Sequence, residues 1–258
     1  MKKGRKSPDE MTFLEHLEEL RKRIFNSVIV LVVVVIPSWF FHKQLFDIIA
    51  RPIKQFLPQG KKLAFINLTE PFVLYIKICF LAAVFIAAPY IFYQLWLFIA
   101  PGLFRHEKKY VIPFIIFTTV FFILGALFAY FIAFPFACGF FLKLGAEFEP
   151  VITANKYFSL AIRIILGIAL VFELPTLVFF LSRMGLITSK WMIKNFKYAV
   201  LVVFIIAAVI TPSPDVINQC IIAFPMLALY GLGIVIAFIF GPKKKEIEEE
   251  EEEEDLVG

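Results

Sequence analysis

From Tyr110 to about Leu142 the chain carries no charged side chain. At ~1.5 Å per residue a helix of that length reaches about 50 Å, well past the ~30 Å hydrocarbon core of a bilayer. Such a run has to tilt, kink at Pro113 or Pro135, or stand proud of the membrane. Five further apolar runs cover about 24–41, 72–99, 157–182, 198–210 and 216–240. With 60% apolar and 17% aromatic residues and a mean hydropathy of +0.84, the composition belongs to a polytopic membrane protein rather than a soluble domain.

The expected fold is therefore an all-α integral membrane protein of six kinked transmembrane helices, with short fifth and sixth spans. Residues 1–242 are expected to form a single membrane domain and 243–258 a disordered, charged cytoplasmic tail. No cleavable signal peptide is expected, because the first residues are dense in charge and no small-residue cleavage site follows. Cys79, Cys138 and Cys220 sit far apart within apolar runs and read as small hydrophobes; no cofactor or metal is implied.

Ahead of the first run, Met11 to Ile24 (MTFLEHLEELRKRI) is amphipathic at helical spacing. Phe13, Leu14, Leu17, Leu20 and Ile24 form one stripe, and Glu15, Glu18, Glu19, Arg21, Lys22 and Arg23 fill the remainder. That pattern predicts a cytoplasmic helix lying along the membrane surface. Trp39, Phe40 and Phe41 close the first span at an interface. The loop of about thirty residues after it is too proline-broken to be one helix. Pro101-Gly102 ends the second span, and the fifth and sixth spans read as a hairpin joined by TPSPDVINQ.

Counting Lys and Arg by side puts 17 with the N-terminus and 7 on the opposite face, so both termini are expected in the cytoplasm. The formal charge of +5 hides a more basic body, because residues 246–258 hold nine acidic groups; without them the net is +14. That excess suits topology and anionic lipid better than nucleic acid.

No phosphate loop, HExxH or GxSxG motif is present, and His16, His42 and His106 all fall at or outside the interfaces. Enzymatic chemistry is not expected. Glu173, in ALVFELPTLVF, lies mid-span, where an ionised carboxylate is costly unless it is protonated, paired or facing water. Pro175 leaves the carbonyl of Val171 without its helical donor, so the pair marks a polar notch. An internal partner such as Arg163 or Lys77 is the plain structural reading. Glu19 and Glu107 stand at the cytoplasmic face amid basic residues, where local pairing, such as Glu19 with Arg23 at i,i+4, is the plain alternative.

HLEELRKR, YQLWLFIAPGLFRHEKK, GALFAYF, FELP and TPSPDVINQ, in this order, resemble the TatC family, the receptor subunits of the twin-arginine protein translocase. The resemblance runs from about Thr12 to Phe240. It implies a receptor in the bacterial cytoplasmic membrane that binds twin-arginine signal peptides at its cytoplasmic face. Such a receptor joins TatB, recruits TatA and nucleates export of folded cargo driven by the proton-motive force, within an oligomeric complex. It further implies that Glu19 and Glu107, with Arg21 and Phe98 nearby, contact the signal peptide. Glu173 becomes the intramembrane docking carboxylate, and Pro52 and Asp215 are far-side loop positions. TPSPDV departs from the family's more compact form, which bears on where Asp215 sits. The competing reading is a secondary transporter or channel using Glu173 as a proton or ion site. That reading calls for paired intramembrane charges and an internal repeat, neither of which the sequence displays.

Overall fold

The computed structural model describes residues 13–54, 63–99, 111–148, 151–211 and 215–241. Residues 243–258, predicted to be a disordered tail, lie outside them. The described chain is helical: α1 Phe13–Phe40, α2 His42–Lys54, α3 Glu70–Ile99, α4 Val111–Phe128, a π-helical turn Ala129–Ala133, α5 Phe134–Leu144, α6 Ala154–Val171, α7 Leu174–Arg183, α8 Ser189–Lys194, α9 Phe196–Ile210 and α10 Val216–Phe240. A single parallel bridge between Ala64 and Thr153 is the one β pairing among the described residues. Five stretches are long and apolar enough to cross a bilayer: His16–Phe40, Glu70–Ile99, Ile112–Leu144, Ala154–Arg183 and Val216–Phe240. The chain is thus a multi-pass membrane protein. At 15 residues α9 is shorter, as expected, whereas α10 has 25 and corrects the expectation of a short final span.

The amphipathic segment is not a separate helix on the membrane surface. It is the first part of α1, which continues without interruption into the apolar run. The reason is local: Glu, Leu, Arg and Lys are all good helix formers, and no proline occurs in α1 before Pro37. Of its apolar stripe, Leu17 and Ile24 are 45% and 55% exposed, and Phe25 beside Ile24 is 65% exposed. The polar residues Glu19 and Arg23 are the more covered side chains.

The contacts divide the chain into two compact units, residues 1–166 and 167–258. In the first, α3 is the central helix, packing against α1, α2 and α4 and burying Leu74, Ile78, Cys79, Ala83, Ala87 and Trp96 among others. Aromatic rings fill the spaces between helices: Phe46 stacks on Phe158 at 4.8 Å and Trp96 lies 4.9 Å from Phe114. Gly125, Ala129 and Ala133 are all buried, the packing role expected of small residues four apart.

The long third run breaks where Pro135 predicts. The π turn directly precedes α5, and Pro135 sits in the first turn of α5, where its missing N–H costs least. That turn carries Tyr130, whose hydroxyl donates to the carbonyl of Ile48 at 2.6 Å. Ile48 is the residue four before Pro52, which lies inside α2, so it is the carbonyl that Pro52 cannot serve. Tyr157 donates similarly to Ile49 at 2.9 Å. Part of the proline-rich segment after α1 is therefore helical after all, with a side chain from another helix supplying the donor that proline removes.

In the second unit α10 packs against α7, α8 and α9. Val178, Met192 and Ala237 form its buried cluster, with Ile187, Tyr230 and Ile234 against it. Gly233 admits this approach, since a Cβ there would meet Val178 at 3.2 Å. Gln219 ties the α9–α10 hairpin by donating to the carbonyl of Phe204 at 2.7 Å.

Tyr130→Phe is expected to lower stability by about 1 kcal/mol, the usual net value of such a bond. In a Pro52→Ala background the loss should be clearly smaller, because residue 52 then offers its own N–H to Ile48. Thermal unfolding of the four proteins in detergent micelles measures this coupling, and equal losses in both backgrounds would refute it.

Candidate functional site

Residues on the α3-facing side of α1 build the first site. His16, Glu19 and Arg23 are spaced by three and four, so they share one helical face. The His16 ring stacks on Phe98, in the last turn of α3, with centroids 4.4 Å apart and planes 19° from parallel. This contact brings the start of α1 beside the end of α3.

Glu19 Oε1 accepts from Arg23 Nη2 at 2.9 Å, and the two side chains are 15% and 24% exposed. The local i,i+4 pairing read from the sequence is therefore formed. Arg23 Nη1 also points to Gln94 Oε1 at 3.4 Å, and Gln94, itself 4% exposed, donates from Nε2 to the Tyr90 hydroxyl at 2.5 Å.

This network is incomplete. Glu19 Oε2 and Arg23 Nε are both buried and have no hydrogen-bond partner among the described residues. A carboxylate has about four lone-pair sites, so Glu19 keeps capacity for a second cationic donor while holding Arg23. An unmet buried acceptor costs on the order of 1–3 kcal/mol, which an arriving guanidinium would relieve by a charge-assisted bond.

Of the other residues predicted for this site, Phe98 is brought in through its stack on His16. Arg21 is not: two residues from Glu19 it falls on nearly the opposite side of α1, where it lines a shallow outer furrow with Leu17, Leu20, Ile24, Phe25 and Val28. Glu107 lies outside the described residues. Sequence reading passed over Gln94 and Tyr90. A lone glutamine in the apolar stretch YIFYQLWLF was the available signal, because an amide placed there needs partners.

Glu173 forms the second site, within the second unit. The helix stops at Val171 and restarts at Leu174, leaving Phe172 and Glu173 in a turn. Glu173 N donates to Leu170 O at 3.1 Å, three residues back, rather than to the carbonyl four back. Pro175 follows within the first turn of α7, so the break falls where the missing N–H predicts it.

Glu173 occupies the position before α7, yet its side chain makes no capping bond. Both carboxylate oxygens are buried, and the only side chain among the described residues near enough to serve them is the hydroxyl of neighbouring Thr176, without well-formed hydrogen-bond geometry. Lys77, considered from sequence as an internal partner, is engaged within the first unit. It donates to Asn155 Oδ1 at 3.0 Å and Ser159 Oγ at 3.2 Å.

The far-side positions play structural parts. Pro52 is buried in α2. Asp215 caps α10, accepting from Asn218 N at 2.7 Å through Oδ1 and from Asn218 Nδ2 at 3.0 Å through Oδ2. Residues 212–214, which carry the departure in TPSPDV, lie outside the described residues. No group of three or more metal-ligating side chains occurs among the described residues.

Comparison with known proteins agrees with this architecture. The family model described as TatC, Sec-independent protein translocase protein, matches residues 15–225. The Sec-independent protein translocase protein TatC of Koribacter versatilis (strain Ellin345) is 44% identical over 239 residues, covering 92% of this chain and 88% of that one. The TatC of Helicobacter pylori (strain J99) is 42% identical over 234 residues, covering 90% and 91%. A crystal structure of a twin-arginine translocase receptor, TatC, superposes with a TM-score of 0.75 at 35% identity, covering 86% of this chain and 98% of that chain. With a family match across most of its length and relatives of this similarity, the chain belongs to the TatC family of Sec-independent protein translocase proteins.

Proposed function

We propose that this chain is the signal-peptide receptor and core subunit of a twin-arginine translocase. The TatC family is one of translocase components rather than of catalytic enzymes. The observation that carries the receptor reading is the half-used Glu19 carboxylate, with Oε1 on Arg23 and Oε2 buried and unmet among the described residues. A guanidinium matches such an acceptor better than an ammonium does, because its planar fork delivers two donors with fixed geometry. Glu107 is the second carboxylate of this reading, and each takes one arginine of the pair. Phe98, held by His16, offers an apolar wall beside them.

The proposed topology has six spans, with α9 as the short fifth and both units forming one membrane domain. The N- and C-termini lie in the cytoplasm and the membrane is the bacterial inner membrane. Positive charge concentrated with the N-terminus supports that orientation. Glu173 serves a separate step as the docking point for the single membrane helix of TatA or TatB. Both its oxygens are buried, so a polar side chain arriving through lipid gains a bond for which the neighbouring Thr176 hydroxyl is the competing donor. Cargo export is then driven by the proton-motive force within an oligomeric complex.

Crosslinking to a twin-arginine signal peptide should fall about tenfold in Glu19→Ala, the scale of one lost charge-assisted bond. It should fall further when Glu107→Ala is added, and the wild type should prefer the RR peptide over its KK counterpart. Unchanged binding in both single variants and the double variant sinks the reading. For Glu173, replacement by Gln keeps hydrogen bonding and should retain co-purification of small single-span subunits. Glu173→Ala should weaken it by about threefold to thirtyfold; equal effects of the two substitutions would argue against docking through a hydrogen bond.

A further inference from the structure

The start of α6 gathers positive charge that no carboxylate pairs with among the described residues. Lys156 and Arg163 are exposed and seven residues apart, hence on one line of the helix, and Leu170, the next residue on that line, is 62% exposed. Asn155 and Ser159 stand about 70° around the helix from that line and hold the ammonium of Lys77, from α3. Three cations thus occupy one side of α6 within the first unit.

The acids described at this end are engaged or unpaired elsewhere. Asp47 pairs with Lys54 at 2.8 Å. Glu70 accepts from Ile66 N at 3.0 Å and from Asn67 at 3.2 Å. Glu147 makes no ion pair among the described residues.

Depth identifies what meets these cations. α3 and α6 begin at the same end, because Ala64, in the segment before α3, is bridged to Thr153, directly before α6. Arg163 lies about 14 Å along the helix from Ala154, inside a 30-residue apolar span. Lys77 lies about 10 Å along α3 from Glu70, so Arg163 and Lys77 both stand within about two and a half turns of the ends at which their helices begin, the ends nearest the hydrocarbon boundary.

A helical side chain leans toward its own N-terminus. Arg163 therefore reaches back to the boundary, and Lys77, near the start of α3, leans toward the same level. A guanidinium there faces lipid, where an unpaired charge is expensive. Lys77 also keeps one of its three donors after bonding Asn155 and Ser159.

We propose that Lys77, Lys156 and Arg163 form a site for the phosphate of an anionic phospholipid, such as phosphatidylglycerol, at the membrane face where α3 and α6 begin. The lipid phosphate sits at the level these side chains reach, and its charge offsets the excess.

The purified full chain in detergent, titrated with phosphatidylglycerol or phosphatidylcholine and read by intact-complex mass spectrometry, tests this. The wild type should retain phosphatidylglycerol preferentially, Arg163→Gln should lower that retention about fivefold, and Lys156→Gln should lower it further. Lys190→Gln, an exposed cation in the second unit, should leave retention unchanged, and circular dichroism should show the same helical content throughout. Equal retention of phosphatidylglycerol by Arg163→Gln and the wild type overturns the site, as does equal retention of the two lipids by the wild type. Displacement of the lipid by the same concentration of inorganic phosphate would mean a free-anion site instead. Loss of a co-purified single-span protein from Arg163→Gln, with lipid retention intact, would assign the arginine to a partner's carboxylate. Either result overturns the proposal.

Discussion

Inside a bilayer no water is available to complete a broken main-chain hydrogen bond, and the arrangement of these helices follows from that constraint. Proline occurs within α1, α2, α3 and α10, and each one deprives a carbonyl of its donor. Where the structure supplies a replacement, the replacement also ties elements together. Tyr130, presented by the π turn, serves the carbonyl that Pro52 leaves open and so fastens the fourth and fifth helices to the second. In other places the helix stops just before the proline. The interruption at Phe172 and Glu173 is such a place, and it carries the buried carboxylate. One rule accounts both for a structural clamp and for a candidate docking point.

One face of α1 is arranged unlike that of a soluble helix. Leu17, Ile24 and Phe25 are exposed, whereas Arg23 turns toward Gln94 on α3 and holds Glu19 beside it. A lipid surroundings removes the reason to hide leucine and creates a reason to hide charge. The result is a carboxylate held by a neighbouring cation, with one oxygen in reserve. In the proposed receptor role this pre-positioning would lower the ordering cost of binding, since Glu19 is already held in place. On α6 the exposed Arg163 is the cation for which a lipid phosphate is proposed as the answering charge.

The class of fold was legible in the sequence because apolar run length is a direct readout of bilayer thickness. Runs ending near Phe41, Ile99 and Phe240 match helices ending at Phe40, Ile99 and Phe240. Breaks at Pro135 and Pro175 were legible for an equally local reason, the absent N–H. Glu173 stood out because a carboxylate in the middle of an apolar run has a cost that any reader of the chain can assess. Glu19 was reached through its motif together with its place on an amphipathic helix.

Only the tertiary structure decided how these pieces are used. Hydropathy described the Met11–Ile24 segment as amphipathic but could not say whether it bends onto the membrane surface or runs straight into α1, because both share one periodicity. Whether Glu19 is satisfied by Arg23 alone, whether Arg21 faces the same way as Glu19, and whether Lys77 answers Glu173 or Asn155 are questions of distance between helices. Residues 71 or 78 positions apart make those contacts. Sequence spacing determines which face of its own helix a residue occupies; only packing determines what stands opposite that face.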